Sequence, residues 1–479
     1  MSYLDKSLEQ IHNALVEGKV TSKELIEESL TRAHANQEEI NSFVSICDEA
    51  KEKPITDNVL SGIPYAAKDN LSTKGILTTA SSNILKDYIP VFDATCIKKL
   101  KDVNAVMIGK TVMDELGMGG SGTTAHTGIV KNPWDINRMT AGSSAGSAAA
   151  VAKGIVPYAL GTDTGDSIRK PAGYCGIVGF KPTYGLISRW GLFAFASSLD
   201  HVGCLTRNVK DAAYVIDAIK GIDEKDMTSF DSKDIKLIDN YNTNVKGKKL
   251  FYIKELVNEL KTSNEYYNNF MKVIEYAKEC GMIIEEESID ERILKGLYPS
   301  YMAISCAEAT SNNANLTGIQ FGPRGEGTNI EEIMFNARTK GFSELIKRRF
   351  ILGSFILQKE NQEKLFLNAQ RIRRLIVDKM LELFKKYDGC IVPNSESIAP
   401  KFGECADVLS DKYLLYAEHL AIGNFGGFPS ITIPSGIVNE MPVAVNITCP
   451  VKHDSEAINI AAALEEKIGF IPLSQKGDE

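Results

Sequence analysis

The 479-residue sequence has few of the features that mark small secreted, metal-binding or membrane proteins. Its nine cysteines, scattered from Cys47 to Cys449, include no pair at C-x-x-C spacing and are odd in number. That usage suits a reducing compartment and argues against a disulfide framework or a zinc site. The six histidines show no H-E-x-x-H or other ligand spacing, so no metal centre is expected from them. No stretch approaches the roughly 18 uninterrupted apolar residues of a membrane span. The N-terminal MSYLDKSLEQIHNALVEGK has no basic segment leading into an apolar run, so no signal peptide is read and a cytoplasmic location is expected. A basic excess is missing too. Lys and Arg number 54 against 62 Asp and Glu, a net charge of −8, which argues against a protein that grips nucleic acid by bulk charge.

What is present is an ordinary globular composition, 43% hydrophobic and 24% charged. Length alone suggests about three domains, although one large α/β domain is also possible. Residues 1–50 read as helices: Leu8, Ile11 and Leu15 recur at helical spacing, Gly18 stops the run, and Thr21 with Glu24 forms a capping box for the next helix. Residues 60–210 are rich in Gly, Ser and Thr, with short apolar runs at 105–108 and 155–160 alternating with helical segments such as 94–100. Residues 250–385 read as mostly helical. The last stretch, 386–479, returns to strands at 389–393, 430–434 and 442–448, followed by a helix at about 455–467. This pattern predicts an α/β fold of one domain spanning 1–479, with a central mixed sheet flanked by helices on both faces and completed late by the C-terminal strands.

Gly- and hydroxyl-rich sequence is concentrated in TAGSSAGSA at 140–148 and GTDTGDSIRKPAGYCG at 161–176. One such segment would only fill a turn. Two, each at a strand–helix junction, point to a site built from backbone N–H groups. Partial motifs compete here. Gly142 to Gly146 matches the G-x-S-x-G elbow, but the preceding NPWDINRMT is polar and not a buried strand. Ser167 to Lys170 matches S-x-x-K, without the companion S-D-N and K-T-G elements. The GKT at 109–111 lacks the first glycine of a phosphate loop, its place taken by Asn104. A serine nucleophile without a histidine can use a lysine that burial keeps neutral. Lys68, ending GIPYAAK among small apolar residues, is the best candidate, against the alternative of a solvated lysine at a strand end.

These segments, GIPYAAKDN, TAGSSAGSA and GTDTGDSIRKPAGYCGIVGFKPTYGLISRWGLFAFASSLDHVG, resemble the amidase signature family. Within it, FKPTYGLISRWGLFAFASSLD, SYMAISCAEATSNNANLTG and ELIKRRFILGSF look most like the glutaminase chains, the A subunits, of glutamyl-tRNA(Gln) amidotransferases. The resemblance implies a Ser–Ser–Lys triad, with Ser167 the nucleophile, Ser143 the bridging serine and Lys68 the base. It also implies an oxyanion hole from the backbone N–H groups of Thr164, Gly165 and Asp166, and substrate contacts from Tyr301 and Arg349, the latter for the α-carboxylate of glutamine. The family's ammonium-binding aspartate precedes an N-x-x-G-x-P segment, here Asn424 to Pro429, and Glu418 is the nearest acid, one residue out of register. Thr140, Ala141, Ala145 and Asp166 depart from the family pattern, which has Pro, Gly, Gly and Gly there.

The implied function is glutamine hydrolysis that supplies ammonia for ATP-dependent conversion of Glu-tRNA(Gln) to Gln-tRNA(Gln), with Asp-tRNA(Asn) a further candidate. No cofactor is implied in this chain. ATP and Mg would be used by a partner, the B subunit, which also handles the tRNA, and the small C subunit would brace a heterotrimer. Two other readings stand beside it: a free-standing amidase acting on another small amide, and a scaffold protein of the complex with weakened catalysis.

Overall fold

A computed structural model describes residues 2–261, 263–404 and 417–475. Among the described residues thirteen strands run in chain order: β1 Phe43–Ile46, β2 Pro64–Lys68, β3 Val106–Thr111, β4 Lys131–Asn132, β5 Asp135–Met139, β6 Tyr158–Asp163, β7 Val178–Lys181, β8 His201–Thr206, β9 Lys249–Ile253, β10 Ile283–Glu287, β11 Gly389–Pro393, β12 Ser430–Val438 and β13 Met441–Thr448. Eleven form one mixed sheet in the order β1-β3-β2-β6-β8-β7-β12-β13-β11-β9-β10, while β4 and β5 make a separate ribbon. The chain is thus a single α/β unit, as the residue pattern predicts.

The C-terminal strands complete the sheet. β12 pairs with β7 through Ser430↔Lys181, β13 with β12, and β11 with β13. One difference lies in the middle of the chain, where the segment read as mostly helical also supplies β9 and β10. They pair in parallel with each other, and β9 with β11. β10 is an outer edge strand, IIEEE, largely exposed, so it carries charge rather than the alternation that marks a half-buried strand. The GKT at 109–111 lies within β3, not in a phosphate-binding loop.

Both N-terminal helices, Leu8–Val16 and Ser22–Ile40, begin with complete capping boxes, Ser7 with Gln10 and Thr21 with Glu24. The C-terminal helix Asp454–Ile468 packs across β12, and Asp454 accepts hydrogen bonds from the Thr183 N–H at 2.8 Å and hydroxyl at 2.6 Å. Among the described residues, no helix is long and apolar enough to cross a membrane.

Helix Ala145–Ala152, AGSAAAVA, is buried on all sides. Its small residues let it approach the sheet closely. A Cβ on Gly146 would stand 2.3 Å from the Ser42 carbonyl oxygen and 2.7 Å from the Val112 backbone. Since backbone cannot swing aside as a side chain can, Gly146→Ala is predicted to cost about 1–3 kcal/mol, read as a lower urea midpoint. An unchanged midpoint would contradict this packing.

Candidate active site

The site grows from the ends of neighbouring strands. β2 delivers Lys68 at its last residue, inside the sheet rather than at a wet strand end, and the side chain is fully buried. Its Nζ lies 2.7 Å from Ser143 Oγ, 2.9 Å from Ser144 Oγ and 3.1 Å from the Thr162 carbonyl oxygen. Burial pushes the ammonium down from its ordinary value to about 7, against the opposing field of Asp114, Asp163, Asp200 and Asp166. A neutral lysine has two hydrogens and a lone pair. Ser144, whose own hydroxyl donates to the Thr162 carbonyl at 3.0 Å, and that same carbonyl take the two hydrogens. The lone pair is then left to receive the Ser143 hydroxyl.

Ser143 stands on the loop between β5 and helix Ala145–Ala152, and the exposed ribbon strand before it is not the buried strand a nucleophile elbow requires. Asp114 braces this loop. Its carboxylate accepts from the N–H groups of Ser121, Gly122, Thr123 and Thr124 at 3.1–3.2 Å, and its own N–H donates to the Ser143 carbonyl at 3.2 Å. Ala141 sits at φ +58°, in the left-handed region where a glycine is free and a side chain costs about 1–2 kcal/mol. Ala145, opening a helix, meets no such strain.

Ser167 lies between β6 and helix Arg169–Cys175, and its carbonyl accepts from the Ser144 N–H at 3.1 Å, which ties the nucleophile loop to the serine pair. The loop is shaped by a buried ion pair absent from the sequence reading. Arg169, at 0% exposure, donates to both carboxylate oxygens of Asp163 at 3.0 and 2.9 Å, and to the Gly165 carbonyl at 2.6 Å. The pairing holds the Asp163 carboxyl below its usual range although burial alone would raise it. The Gly165 carbonyl and the Asp166 N–H belong to one trans peptide, so fixing the first on the guanidinium turns the second away from it. Arg169 occupied the third position of the S-x-x-K match, where only the lysine drew notice.

Gly165 also marks where two distant side chains meet this loop. A Cβ there would lie 2.6 Å from Glu418 Oε2 and 2.9 Å from the Tyr301 ring. Both side chains therefore pack against the nucleophile loop, Tyr301 from helix Leu297–Asn312 and Glu418 from just before the turn His419–Ala421. Glu418 Oε2 is buried without a hydrogen-bond partner, and so is Arg349 Nε on helix Glu344–Leu357. The Arg349 guanidinium lies 5.9 Å from the centre of the Phe195 ring, and its field reaches both Tyr301 and Glu418. One carboxyl oxygen and one guanidinium nitrogen thus lie buried without hydrogen-bond partners in groups whose fields reach each other, the two kinds of pole an amino-acid substrate would pair with. Asp166, 7% exposed, has its Oδ2 at 3.7 Å from Lys170 Nζ. Burial raises the Asp166 carboxyl to about 6, with Lys170 opposing, and burial together with Asp166 raises Glu418 well above the usual carboxyl range. Of the nine residues singled out from the sequence, Lys68 ends strand β2, and the other eight, Thr164 included, lie on these loops and helices.

Removing the guanidinium should expose how much hangs on it. Arg169→Met leaves Asp163 buried and unpaired, which is predicted to cost about 3–5 kcal/mol. Urea unfolding checks this, and a loss under about 1 kcal/mol would contradict the network.

A sequence model of the amidase family, described as "Amidase", matches residues 24–458. The chain is 40% identical to a Streptococcus pneumoniae (strain ATCC 700669 / Spain 23F-1) protein named as the A subunit of glutamyl-tRNA(Gln) amidotransferase, with 98% of each covered. The Lactobacillus gasseri protein of the same name is 36% identical, with 100% of each chain covered. The crystal structure of the glutamyl-tRNA(Gln) amidotransferase A subunit from Thermotoga maritima is similar at a TM-score of 0.82 and 33% identity, covering 100% of this chain and 99% of that one. The signature-like motifs therefore sit within a likeness that runs the length of the molecule, and the chain belongs to the amidase family.

Proposed function

We propose that the chain hydrolyses glutamine and serves as the ammonia-producing component of a tRNA-dependent amidotransferase. The observation that carries the reading is the buried Lys68–Ser143 contact at 2.7 Å, in which burial holds the lysine near neutrality. Ser167 Oγ attacks the side-chain amide carbon of glutamine and passes its proton to Ser143, while Ser143 passes its own to Lys68. The negative charge on the carbonyl oxygen falls to the N–H groups of Thr164, Gly165 and Asp166, each such donor typically worth about 2.7–4 kcal/mol. The proton returns through Ser143 to the leaving nitrogen, and ammonia departs from a glutamyl ester on Ser167. Water enters by the same relay in reverse, so the balance is glutamine plus water to glutamate plus ammonia.

Arg349 takes the α-carboxylate, where its planar fork suits two oxygens, Glu418 takes the α-ammonium and Tyr301 walls the pocket. The relatives' shared name supports a place as the A subunit of a glutamyl-tRNA(Gln) amidotransferase, and the proposal extends to ammonia passed within a heterotrimer of A, B and C subunits to Glu-tRNA(Gln), with Asp-tRNA(Asn) a second acceptor. ATP, Mg and tRNA then belong to the B subunit, no cofactor is held by this chain, and the site of action is the cytoplasm. The net charge of −8 fits a chain that need not grip tRNA itself.

Lys68 acts as a base only when neutral, so activity should rise with pH and level off above about 7. Below that, kcat for ammonia release is predicted to fall about tenfold per pH unit, and a profile flat from pH 5.5 to 8.5 would remove Lys68 from the role. Ser167→Ala, co-expressed with partner subunits, is predicted to lose glutamine-dependent amidation of Glu-tRNA(Gln) by at least about 10⁴-fold. Amidation at the wild-type rate would make the triad a relic. Steady hydrolysis of unrelated amides, unaffected by partners, would favour the free-standing amidase.

A further inference from the structure

The pocket holds more negative charge than one ammonium contact requires. Asp166, directly before Ser167, belongs to the loop against which Glu418 packs at Gly165. Asp166 is nine-tenths buried, yet its nearest cation stands at 3.7 Å, beyond hydrogen-bond distance. Glu418 Oε2 has no partner at all. Lys170 acts on Asp166, Glu418 and Glu396 alike, and Glu396 Oε2 is also buried and unpartnered among the described residues. The other charged or titratable groups that act on the pair include Lys68 at the end of β2, Asp163 at the end of β6, Arg169 at the start of its helix, and Tyr301 and Arg349 from the helices opposite. Asp163 and Arg169 neutralise each other, and Arg349 is the group suited to the far, carboxylate end of the substrate. The acids of the near end thus outnumber their cations until a positively charged ligand arrives.

We propose that Asp166 and Glu418 form a carboxylate pair that grips the α-ammonium of the substrate from two sides, so that Asp166 is a specificity-determining residue selecting amino-acid amides over amides without an ammonium. This rests on the reading of the pocket as a glutamine site, and adds to it the residue that stands where the family has glycine. Burial raises both carboxyls, and the field of Asp166 adds to the rise of Glu418, so the two cannot both ionise cheaply while the pocket is empty. An arriving ammonium supplies the missing countercharge, and the pair gives up a proton as it binds. Glutamine affinity should therefore weaken as pH falls through about 6, where Asp166 becomes protonated.

The test compares glutamine with glutaramate, which is glutamine without its α-ammonium group, titrated calorimetrically into the full chain carrying Ser167→Ala so that no turnover intervenes. Glutamine is expected to bind at least about 100-fold more tightly than glutaramate, tightening about tenfold from pH 5 to pH 7. Adding Asp166→Asn should cut the preference about tenfold and flatten its pH dependence, with glutaramate binding unchanged. Because that variant leaves Lys170 without its neighbour, Asp166→Asn with Lys170→Gln is measured as well. A preference reduced alike in both supports the pair. A preference restored by Lys170→Gln would show that Asp166 only neutralises the lysine, and equal loss of glutamine and glutaramate binding would show a structural role. Either result overturns the proposal. Failure of the catalytic reading is seen separately, as absence of ammonia release from glutamine by the wild-type protein.

Discussion

The candidate site depends on one buried cation. The Arg169 guanidinium joins the end of β6 through Asp163, the nucleophile loop through the Gly165 carbonyl, the turn at Leu420 through its carbonyl, and β12 through Ser430. Asn424 closes the circle, accepting from Arg169 at 2.7 Å and donating to the Asp163 carboxylate at 2.9 Å. A charge without water is tolerable only when its donors are satisfied, and the planar fork of arginine can reach this many acceptors where a lysine could not. The same contacts lock strand β12, made late in the chain, against a loop made early. Completion of the sheet and the shape of the oxyanion loop are therefore one event.

Two buried cationic side chains meet different partners. The Arg169 guanidinium is met bidentately by the Asp163 carboxylate. Lys68 is surrounded by two hydroxyls and a carbonyl, and among the described residues no carboxylate lies within ion-pair distance of it, so desolvation wins and it becomes a base. Lys110 shows a middle case, 3.7 Å from Asp69 and lowered only to about 8 by burial. Burial by itself does not decide the chemistry of a lysine. The nearest polar atoms do.

Much of the site was legible because its chemistry is local. Ser143 and Ser167 sit in Gly- and Ser-rich runs at strand–helix junctions, and Lys68 ends a strand of small residues, and it is the resemblance of these segments to the amidase family that singles them out. The capping boxes and the strand Gly389–Pro393 were likewise visible within five or six residues. Asp163, Asp114 and Asn424 were not, since each is an unremarkable polar residue until partners from elsewhere in the chain surround it. β10 hid for a different reason: an edge strand faces solvent and carries charge.

What the sequence alone determined is the family and the order of its motifs, because these are properties of residue type and spacing, and the three groups proposed to relay a proton follow from that likeness. The tertiary structure decided the rest. It drew Lys68 out of water, left Glu418 and Arg349 with unpaired polar atoms, and set Asp166 beside them. Those outcomes depend on which distant segments exclude water from a side chain and which supply it with a partner, and neither is written in the residues next to it.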